Sequence, residues 1–303
     1  METAEPTERA RALVAGAYDL HVHIAPDVPR RRIDDVSLAH RFAELGLAGF
    51  ALKSHYTSTA ERAQVVSGVV PGIRVIGALT LNRAIGGMNA LAVEIAAGEG
   101  ARIVWLPTFD SPAETAGRTE PKPGDKVPIW AKLQHELRSL GLGVEAVEVT
   151  DGAGGVLPET RDVLSAVARH GLVLATGHLS RDDAFAVVDA ALAEGVGTVV
   201  VTHPEFTSQR YSVEDQVALA ERGCIFDRCL STPWSGKADW DYVFEGIRAV
   251  GIERNIFSSD FGNPDYPPVE DGVALWADRL LGAGFGEDDV REAIVGNSRR
   301  VAG

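Results

Sequence analysis

The sequence is poor in cysteine, in basic clusters and in long apolar runs, and each shortage excludes a class of protein. The 303 residues include two cysteines, Cys224 and Cys229. They lie five positions apart without a second pair, so they match neither a disulfide framework nor a four-thiolate zinc site. We therefore expect reduced thiols and a cytoplasmic protein.

The charge and hydropathy of the chain narrow the choice of partner. The net charge is −14, and no basic cluster is longer than Arg30-Arg31-Arg32, which argues against nucleic acid. No apolar stretch approaches the length of a membrane span, and the first dozen residues are polar and acidic, unlike a secretory signal. The expected partner is a small-molecule substrate, with neither nucleic acid nor a membrane involved.

A pair of histidines stands at the end of the first apolar run, Ala17-Tyr18-Asp19-Leu20-His21-Val22-His23. Alternation along a strand sends positions i and i+2 to the same face, so His21 and His23 would present two imidazoles side by side. That spacing suits one metal ion. By itself the pair is a weak signal, because two partly buried strand histidines explain it equally well.

Three later apolar runs also end in a side chain that can bind a metal. Residues 171–177 lead into His178, residues 197–202 lead into His203, and residues 255–259 lead into Asp260. Runs that are short, β-branched and apolar on both faces are typical of parallel strands covered by helices. Each polar residue then stands at the carboxyl end of a strand, and in a closed parallel barrel those ends surround one mouth.

The fold class predicted from this pattern is α/β, a (β/α)8 TIM-type barrel, and one domain over residues 1–303 has the length that such a barrel needs. Barrels with many apolar positions on their outer helices often associate, so a homo-oligomer is compatible with the sequence. Strands are predicted near 17–23, 49–55, 73–80, 102–107, 172–178, 197–203, 224–228 and 255–260. Helices are clearest at 37–45, 87–97, 128–139, 158–169, 181–194, 213–221 and 240–249.

The connection after the fourth strand, about residues 108–170, is too long for a simple loop and is predicted to hold an insertion. Its first part contains Pro112, Pro121, Pro123 and Pro128 and is predicted to be irregular. Residues 144–149 and 156–157, around the sequence Thr150-Asp151-Gly152-Ala153-Gly154-Gly155, are typical of a small hairpin. A ninth strand is the alternative.

The order of these residues, from Asp19 to Asp260, resembles the amidohydrolase superfamily of metal-dependent barrel enzymes, and residues 294–300 resemble its last helix. The resemblance implies that His21, His23 and His178 are metal ligands and that Asp260 contacts the metal and relays a proton. It implies that His203 polarises the bond under attack or joins the ligands. The fourth strand, residues 102–108, ends without the lysine or glutamate that bridges two metals in other members, so one metal is expected.

The chemistry of these residues agrees with those roles. Three protein ligands leave one coordination position open, and a zinc ion lowers the pKa of a bound water from about 15.7 to about 7. Asp260 beside it would act as base and then as acid to the leaving group. Zinc suits a histidine-rich site best, although manganese, iron or cobalt could use the same ligands.

Cationic and polar side chains near other strand ends suggest how a substrate is held. Lys53 and His55 end the second strand, Arg83 follows the third, and Arg228 lies at the end of the seventh. A guanidinium suits a substrate carboxylate through a bidentate pair, so we expect these four residues to bind a small anionic substrate. Glu205, two positions after His203, is interpreted as an exposed loop carboxylate.

The leading functional prediction is a hydrolase that uses metal-bound hydroxide to cleave an amide, linear or cyclic, or a lactone. A non-oxidative, metal-dependent decarboxylase of the same superfamily is the first alternative, since that branch uses a similar ligand set. A barrel that binds a metal or ligand without catalysis is the second. Release of a carboxylate product, release of carbon dioxide, or absence of turnover would distinguish the three.

Overall fold

The strands of the protein form one parallel sheet whose order is the order of the chain. The computed structural model describes residues 5–116, 129–142 and 145–303. Within them the sheet runs in the order β1 to β8 with every ladder parallel. The strands are β1 Tyr18–Val22, β2 Gly49–Leu52, β3 Arg74–Thr80, β4 Ala101–Trp105, β5 Val173–Ala175, β6 Thr198–Thr202, β7 Ile225–Cys229 and β8 Asn255–Ser258. All eight predicted strands are confirmed.

The barrel closes just beyond the last strand. The backbone N–H of Asp260 donates to the carbonyl of His21 at 2.8 Å, and the N–H of His23 donates to the carbonyl of Phe261 at 2.9 Å. Val22 and Phe261 form a parallel bridge at the same place. These bonds join the first strand to the segment after the eighth, so the predicted (β/α)8 architecture is confirmed.

Helices separate the strands and cover the outside of the sheet. They are α1 Glu8–Leu13, α2 Asp35–Glu44, α3 Ala60–Val69, α4 Ala90–Gly98, α5 Pro112–Thr115, α6 Ile129–Ser139, α7 Pro158–Arg169, α8 Arg181–Ala193, α9 Val213–Glu221, α10 Ser231–Trp234, α11 Trp240–Val250, α12 Gly272–Gly282, α13 Glu287–Arg291 and α14 Ser298–Ala302, with a π-helical turn at Glu292–Asn297. The sequence prediction missed α1, α3, α5, α10, α12 and α13. Helix α3 has little amphipathic pattern because its exposed face also carries apolar residues, Val65 and Val69, which are 60% and 56% exposed.

Polar caps fix where several of these helices begin. Asp34 accepts from the N–H of Ser37 at 2.8 Å before α2, and Ser180 accepts from the N–H of Asp183 at 3.2 Å before α8. At α9, Ser212 and Asp215 bond each other's backbone N–H groups in a capping box. Such caps satisfy amides that a helix leaves unpaired at its start. In the described part of the chain, no helix has the length and hydrophobicity needed to cross a membrane.

The insertion after β4 is more helical than predicted. Helix α5 occupies the start of the stretch expected to be irregular, while residues 117–128, with Pro121, Pro123 and Pro128, lie outside the described residues. The predicted hairpin is reduced to one antiparallel bridge between Thr150 and Val156, closed by a bond from the Asp151 N–H to Gly155. Residues 145–148 are irregular, so no ninth strand forms from them. Val144 lies outside the described residues.

An irregularity in β1 decides which side chains face the barrel interior. Asp19 pairs with Phe50 and Val22 pairs with Leu52, so β1 advances three residues while β2 advances two, and β1 contains one extra residue. An extra residue of this kind is a β-bulge, and it changes which residues face inward. Leu20 packs in the interior cluster, and His21, the next residue, points to the same interior.

The interior cluster fills the lower part of the barrel with apolar side chains. Its members come from seven of the strands and from the last helix, α14, which closes the bottom. They are Leu20, Ala51, Ile76, Ala78, Ile103, Trp105, Val173, Ala175, Val200, Ile256, Val301 and Ala302. The polar site is therefore confined to the opposite end, where the strands finish.

Candidate metal centre

Four histidines and one aspartate meet at the carboxyl ends of the strands, as the sequence predicts. His21, His23, His178 and His203 are 0%, 5%, 9% and 2% exposed, so their ring nitrogens must find partners within the site. Asp260 is partly open to a cavity of about 800 Å³ that forms the mouth of the barrel. Lys53 and His55 line the same cavity.

The imidazole of His21 is held by a carboxylate on one side and offers a lone pair on the other. Its Nδ1 lies 2.8 Å from Oδ2 of Asp227, which can only accept, so Nδ1 carries the proton. Its Nε2 is then unprotonated, and the Lys53 ammonium donates to it at 2.9 Å. A lone pair already aimed at a cation is the state in which histidine binds a metal.

His178 has the same arrangement, and this fixes the role of its neighbour His203. Nδ1 of His178 lies 3.0 Å from Oε1 of Glu114, so its Nε2 is also a lone pair. That Nε2 lies 3.1 Å from Nε2 of His203, which must therefore supply the proton. His178 therefore has an unprotonated Nε2 that could bind a metal, whereas Nε2 of His203 is an N–H donor.

His23 and Asp260 complete the group from the first and eighth strands. Nε2 of His23 lies 3.2 Å from Oδ1 of Asp260, and Nε2 of His21 lies 3.4 Å from the same oxygen. The other carboxylate oxygen, Oδ2, accepts from Oγ of Ser231 at 2.6 Å. Asp260 is thus fixed by one oxygen and faces the imidazoles with the other. Nδ1 of His23 is buried without a partner among the described residues.

The electrostatics of the group favour neutral imidazoles at three of the histidines, beside an ionised carboxylate. Burial lowers the pKa of His23 to about 3 and lowers the pKa values of His178 and His203 below their ordinary value. Burial by itself would raise the pKa of Asp260, but His21 and the hydrogen bond from His23 outweigh it and hold that pKa well below its usual range. Burial lowers the pKa of Lys53 to about 8.

The backbone around the site is tightly constrained. His203 and Asp260 have φ angles of 24° and 51°, and they are two of the three non-glycine residues with positive φ in the described residues. A side chain at Gly177, which precedes His178, would collide with the carbonyl oxygens of Leu106 and Pro107. Unusual backbone conformations of this kind are concentrated at functional sites.

The donor set fits one divalent transition metal. Two donors of a tetrahedral ion with bonds of 2.0–2.1 Å lie about 3.3 Å apart, close to the 3.4 and 3.2 Å that separate Oδ1 of Asp260 from Nε2 of His21 and Nε2 of His23. In the described part of the chain, ligand atoms of His21, Cys229 and Asp260 all lie within 4.8 Å of one another and could hold an ion. His23 contacts this set through Asp260. Imidazole and carboxylate donors suit zinc, manganese, iron or cobalt.

Arg228, expected to bind substrate, lies outside the site. Its side chain is fully buried and faces the helices around the barrel, where it pairs with Glu205 and bonds Gln216 at 2.8 Å and Asn255 at 2.7 Å. The reason is strand alternation, because Asp227 and Cys229 on either side of it face inward. Glu205 is buried, not an exposed loop carboxylate, and burial raises its pKa against the lowering effect of Arg228.

Arg83, also expected to bind substrate, is directed away from the mouth. Its guanidinium donates to the carbonyls of Glu145 and Ala146 at 3.0 and 2.6 Å, and its backbone N–H donates to Asp110. It therefore ties the insertion to the end of β3. Of the four predicted substrate residues, Lys53 and His55 line the cavity, and the two arginines do not.

Two functional residues escaped the sequence analysis, namely the carboxylates Asp227 and Glu114 that orient His21 and His178. Alternation along β7 was a usable signal for Asp227, since Ile225 packs toward the interior cluster and positions 227 and 229 follow on the same face. Glu114 gave no such signal. It comes from α5 in the insertion, and only the folded chain brings it to the end of β5.

Replacing Arg228 by methionine should destabilise the protein and leave substrate recognition unchanged. The change leaves the Glu205 carboxylate buried without its cation, which costs about 3–5 kcal/mol when a buried pair is broken. Denaturant unfolding measures the loss. Replacing both partners with apolar residues, Arg228→Met with Glu205→Leu, should recover much of it, because no charge then remains buried. An unchanged free energy of unfolding together with a raised KM would instead place Arg228 at the substrate.

Comparison with solved structures shows the fold of the amidohydrolase superfamily. An amidohydrolase from Pseudomonas aeruginosa aligns with a TM-score of 0.64 at 12% identity, over 97% of this chain and 98% of its own. A protein named a probable dipeptidase from the same organism aligns with a TM-score of 0.63 at 12% identity, over 98% and 97%. An enamidase aligns with a TM-score of 0.55 at 13% identity, over 95% of this chain and 67% of its own.

The protein is a (β/α)8 barrel similar in fold to these solved structures, with a histidine-rich group at the carboxyl ends of its strands. The predicted resemblance is confirmed for the fold. No curated protein matches the chain by sequence. The chain belongs to a family of unknown function (DUF6282), whose model matches residues 16–227.

Proposed function

We propose that this protein is a metal-dependent hydrolase that cleaves an amide, linear or cyclic, or a lactone in a small anionic molecule. The observation that carries the proposal is the paired arrangement of His21 and His178. Each has a carboxylate at Nδ1, and each has an unprotonated Nε2 that accepts a hydrogen bond within the site, from Lys53 and from His203 respectively. Buried histidines that serve only as packing residues do not need two dedicated carboxylates.

The proposed ligands are His21, His23, His178 and Asp260, around one divalent transition ion, with zinc the first choice among zinc, manganese, iron and cobalt. Such an ion would supply Lewis acidity and lower the pKa of water to about 7. Neutral imidazoles are the form that binds a metal, and burial keeps His23 and His178 in that form. Cys229, near His21, has a thiol pKa raised well above its ordinary value by burial and is not included.

Asp260 and His203 would carry the proton and charge transfers of the reaction. Ser231 holds Oδ2 of Asp260, and Oδ1, which faces His21 and His23, would accept a proton from the attacking water and return it to the leaving nitrogen or oxygen. His203 directs an Nε2–H into the same region and would donate a hydrogen bond to the substrate carbonyl as negative charge develops there. The Lys53 ammonium contacts His21 and interacts electrostatically with both Asp260 and His203.

The positive charge of the mouth supports an anionic substrate. Of the described cations that line it, only Lys53 is among the residues predicted to bind substrate. The described residues that line the cavity include four cationic side chains and two carboxylates, in a chain of net charge −14. Besides Lys53 these cations are Arg30, Arg31 and Lys237. Arg31 is paired with Asp27 at 2.6 Å, whereas Lys237 rests on the face of Phe206, 4.4 Å from the ring centroid.

Neutralising Arg30 and Lys237 together, as Arg30→Gln with Lys237→Gln, should weaken binding of an anionic substrate more than its turnover. Both side chains are exposed, so each contact is worth about 1 kcal/mol or less, and we expect KM to rise about 3- to 20-fold with kcat nearly unchanged. Steady-state kinetics on a carboxylate substrate and on its uncharged amide measure the effect. Arg83→Gln, outside the cavity, is the control. An equal rise for the uncharged analogue would contradict charge recognition.

The proposal is tested by a turnover screen on the metal-loaded protein. A panel of amides, lactones and carboxylic acids is followed by product analysis, with metal content measured on the same sample. A new carboxylate with no gas release supports hydrolysis. Carbon dioxide release would replace the proposal with the decarboxylase. Full metal occupancy without turnover, and with ligand binding intact in Asp260→Asn, would indicate a non-catalytic barrel.

A further inference from the structure

A second polar network, separate from the proposed metal ligands, lies where β2, β3 and β4 end. It consists of His55, Asn82 and Thr108. Asn82 and Thr108 are fully buried, and His55 is partly exposed to the mouth cavity. Nδ1 of His55 lies 2.9 Å from Oγ1 of Thr108, and Nδ2 of Asn82 lies 2.8 Å from the same oxygen.

The orientation of the Asn82 amide is fixed at both ends by backbone groups. Its Oδ1 accepts from the N–H of Thr108 at 2.9 Å, and its Nδ2 donates to the carbonyl of His55 at 3.1 Å. Exchanging the nitrogen and oxygen would place two donors together and two acceptors together. The bond from Nδ2 to Thr108 Oγ1 is therefore a donation to the hydroxyl.

The direction of the Thr108 hydroxyl follows from that donation. With Asn82 donating to it, the buried hydroxyl proton needs an acceptor, and in the described residues the remaining partner of Oγ1 is Nδ1 of His55. Nδ1 must then be unprotonated, because a ring N–H there would leave the hydroxyl proton buried without an acceptor. A neutral imidazole that accepts at Nδ1 carries its proton at Nε2.

We propose that Asn82 and Thr108 set His55 as a neutral imidazole whose Nε2–H is a fixed hydrogen-bond donor to a substrate oxygen in the mouth. The ring stacks on His23, with centroids 4.7 Å apart and planes at 21°, so the imidazole lies beside one of the proposed metal ligands and lines the mouth cavity. No proton is transferred in this role. A donor held in place before the reaction stabilises charge that develops on a carbonyl oxygen.

The tautomer can be read directly by nitrogen-15 NMR of histidine-labelled, zinc-loaded protein, since zinc is diamagnetic. His55→Gln identifies the His55 signals among the eight histidines. We expect Nε2 protonated and Nδ1 unprotonated at pH 8 in the wild type and in Thr108→Ser, which keeps the hydroxyl. A proton on Nδ1 in the wild type would overturn the proposal, and the tautomer is read on the wild type itself, with His55→Gln used only to assign the signals.

Asn82→Asp tests the network most directly, because it replaces the Nδ2 donor to Thr108 with an acceptor oxygen and changes the shape of the side chain little. The Thr108 hydroxyl would then donate to the new carboxylate, leaving its oxygen to accept from His55, so we expect the proton to move from Nε2 to Nδ1. An unchanged tautomer in a folded Asn82→Asp protein would contradict the network. Near-ultraviolet circular dichroism reports whether that variant is folded.

The effect on turnover rests on the proposed function and is measured separately. His55→Phe should lower kcat about 10²- to 10³-fold, whereas His55→Gln, which keeps an N–H donor, should retain more of the rate. Equal losses in the two variants would contradict the donor role. If the screen finds no substrate, the NMR result still decides the tautomer, so the two failures are distinguishable.

Discussion

Replacing His21 and His23 together by alanine should leave the protein without a bound transition metal. Both imidazoles come from the first strand and its end. Among the described residues of that strand, the one other side chain able to bind a metal is the buried carboxylate Asp19. The wild type is expected to retain about one ion per chain when purified without added metal, and the double variant none. Elemental analysis of both proteins measures the difference.

Matched variants separate loss of ligands from general damage. His40→Ala removes an exposed histidine on α2 and should keep full metal content. Asp227→Asn should bind metal about 10- to 100-fold more weakly, because it removes the carboxylate that orients His21. About two ions per chain in the wild type would show that Lys53 or His55 joins a second site. No ion in any form, even after reconstitution, would refute the proposed function.

Replacing Asp260 by asparagine should abolish most turnover while metal and substrate still bind. The amide cannot accept and return a proton, and loss of a general base costs about 10²- to 10⁴-fold in rate. Asparagine tolerates the left-handed backbone of this position, where φ is 51°, as well as aspartate does. The fall in kcat is therefore expected without a large loss of stability.

Three measurements on the same sample make this result specific. Metal content, measured with excess metal supplied, and thermal stability should remain close to wild type because the three histidine ligands remain, and KM should change little. Asp241→Asn, on the exposed face of α11, removes a carboxylate of the same kind far from the mouth and should keep full activity. A kcat within about threefold of the wild type in Asp260→Asn would exclude this residue as the base and leave His203 to be tested next.

Much of the site could be predicted because parallel strands bring their carboxyl ends together. His178, His203 and Asp260 each follow an apolar run, and the closed barrel brings the ends of those runs to one mouth. The prediction that His21 and His23 face the same site also holds, since Nε2 of each lies within 3.4 Å of Oδ1 of Asp260. The prediction failed for Arg228 on β7, because it considered how near the residue lies to the end of the strand and not which face of the strand it occupies.

Side-chain direction depends on register, and register depends on the partner strand. In β1 the bulge puts Leu20 and His21 on the same side, so counting alternate residues from the start of the strand gives the wrong face for the histidines. In β7 no bulge intervenes, and alternation places Asp227 and Cys229 inward and Arg228 outward. A single strand does not reveal which case applies.

By itself the sequence determined the barrel and the residues at the ends of its strands, because hydrophobic patterning and alternation are local properties of the chain. Only the tertiary structure decided the partners of those residues. Glu114 reaches His178 across 64 positions and Asp227 reaches His21 across 206. Contacts between residues so far apart are set by closure of the barrel and packing of the insertion, for which a short stretch of sequence carries no signal.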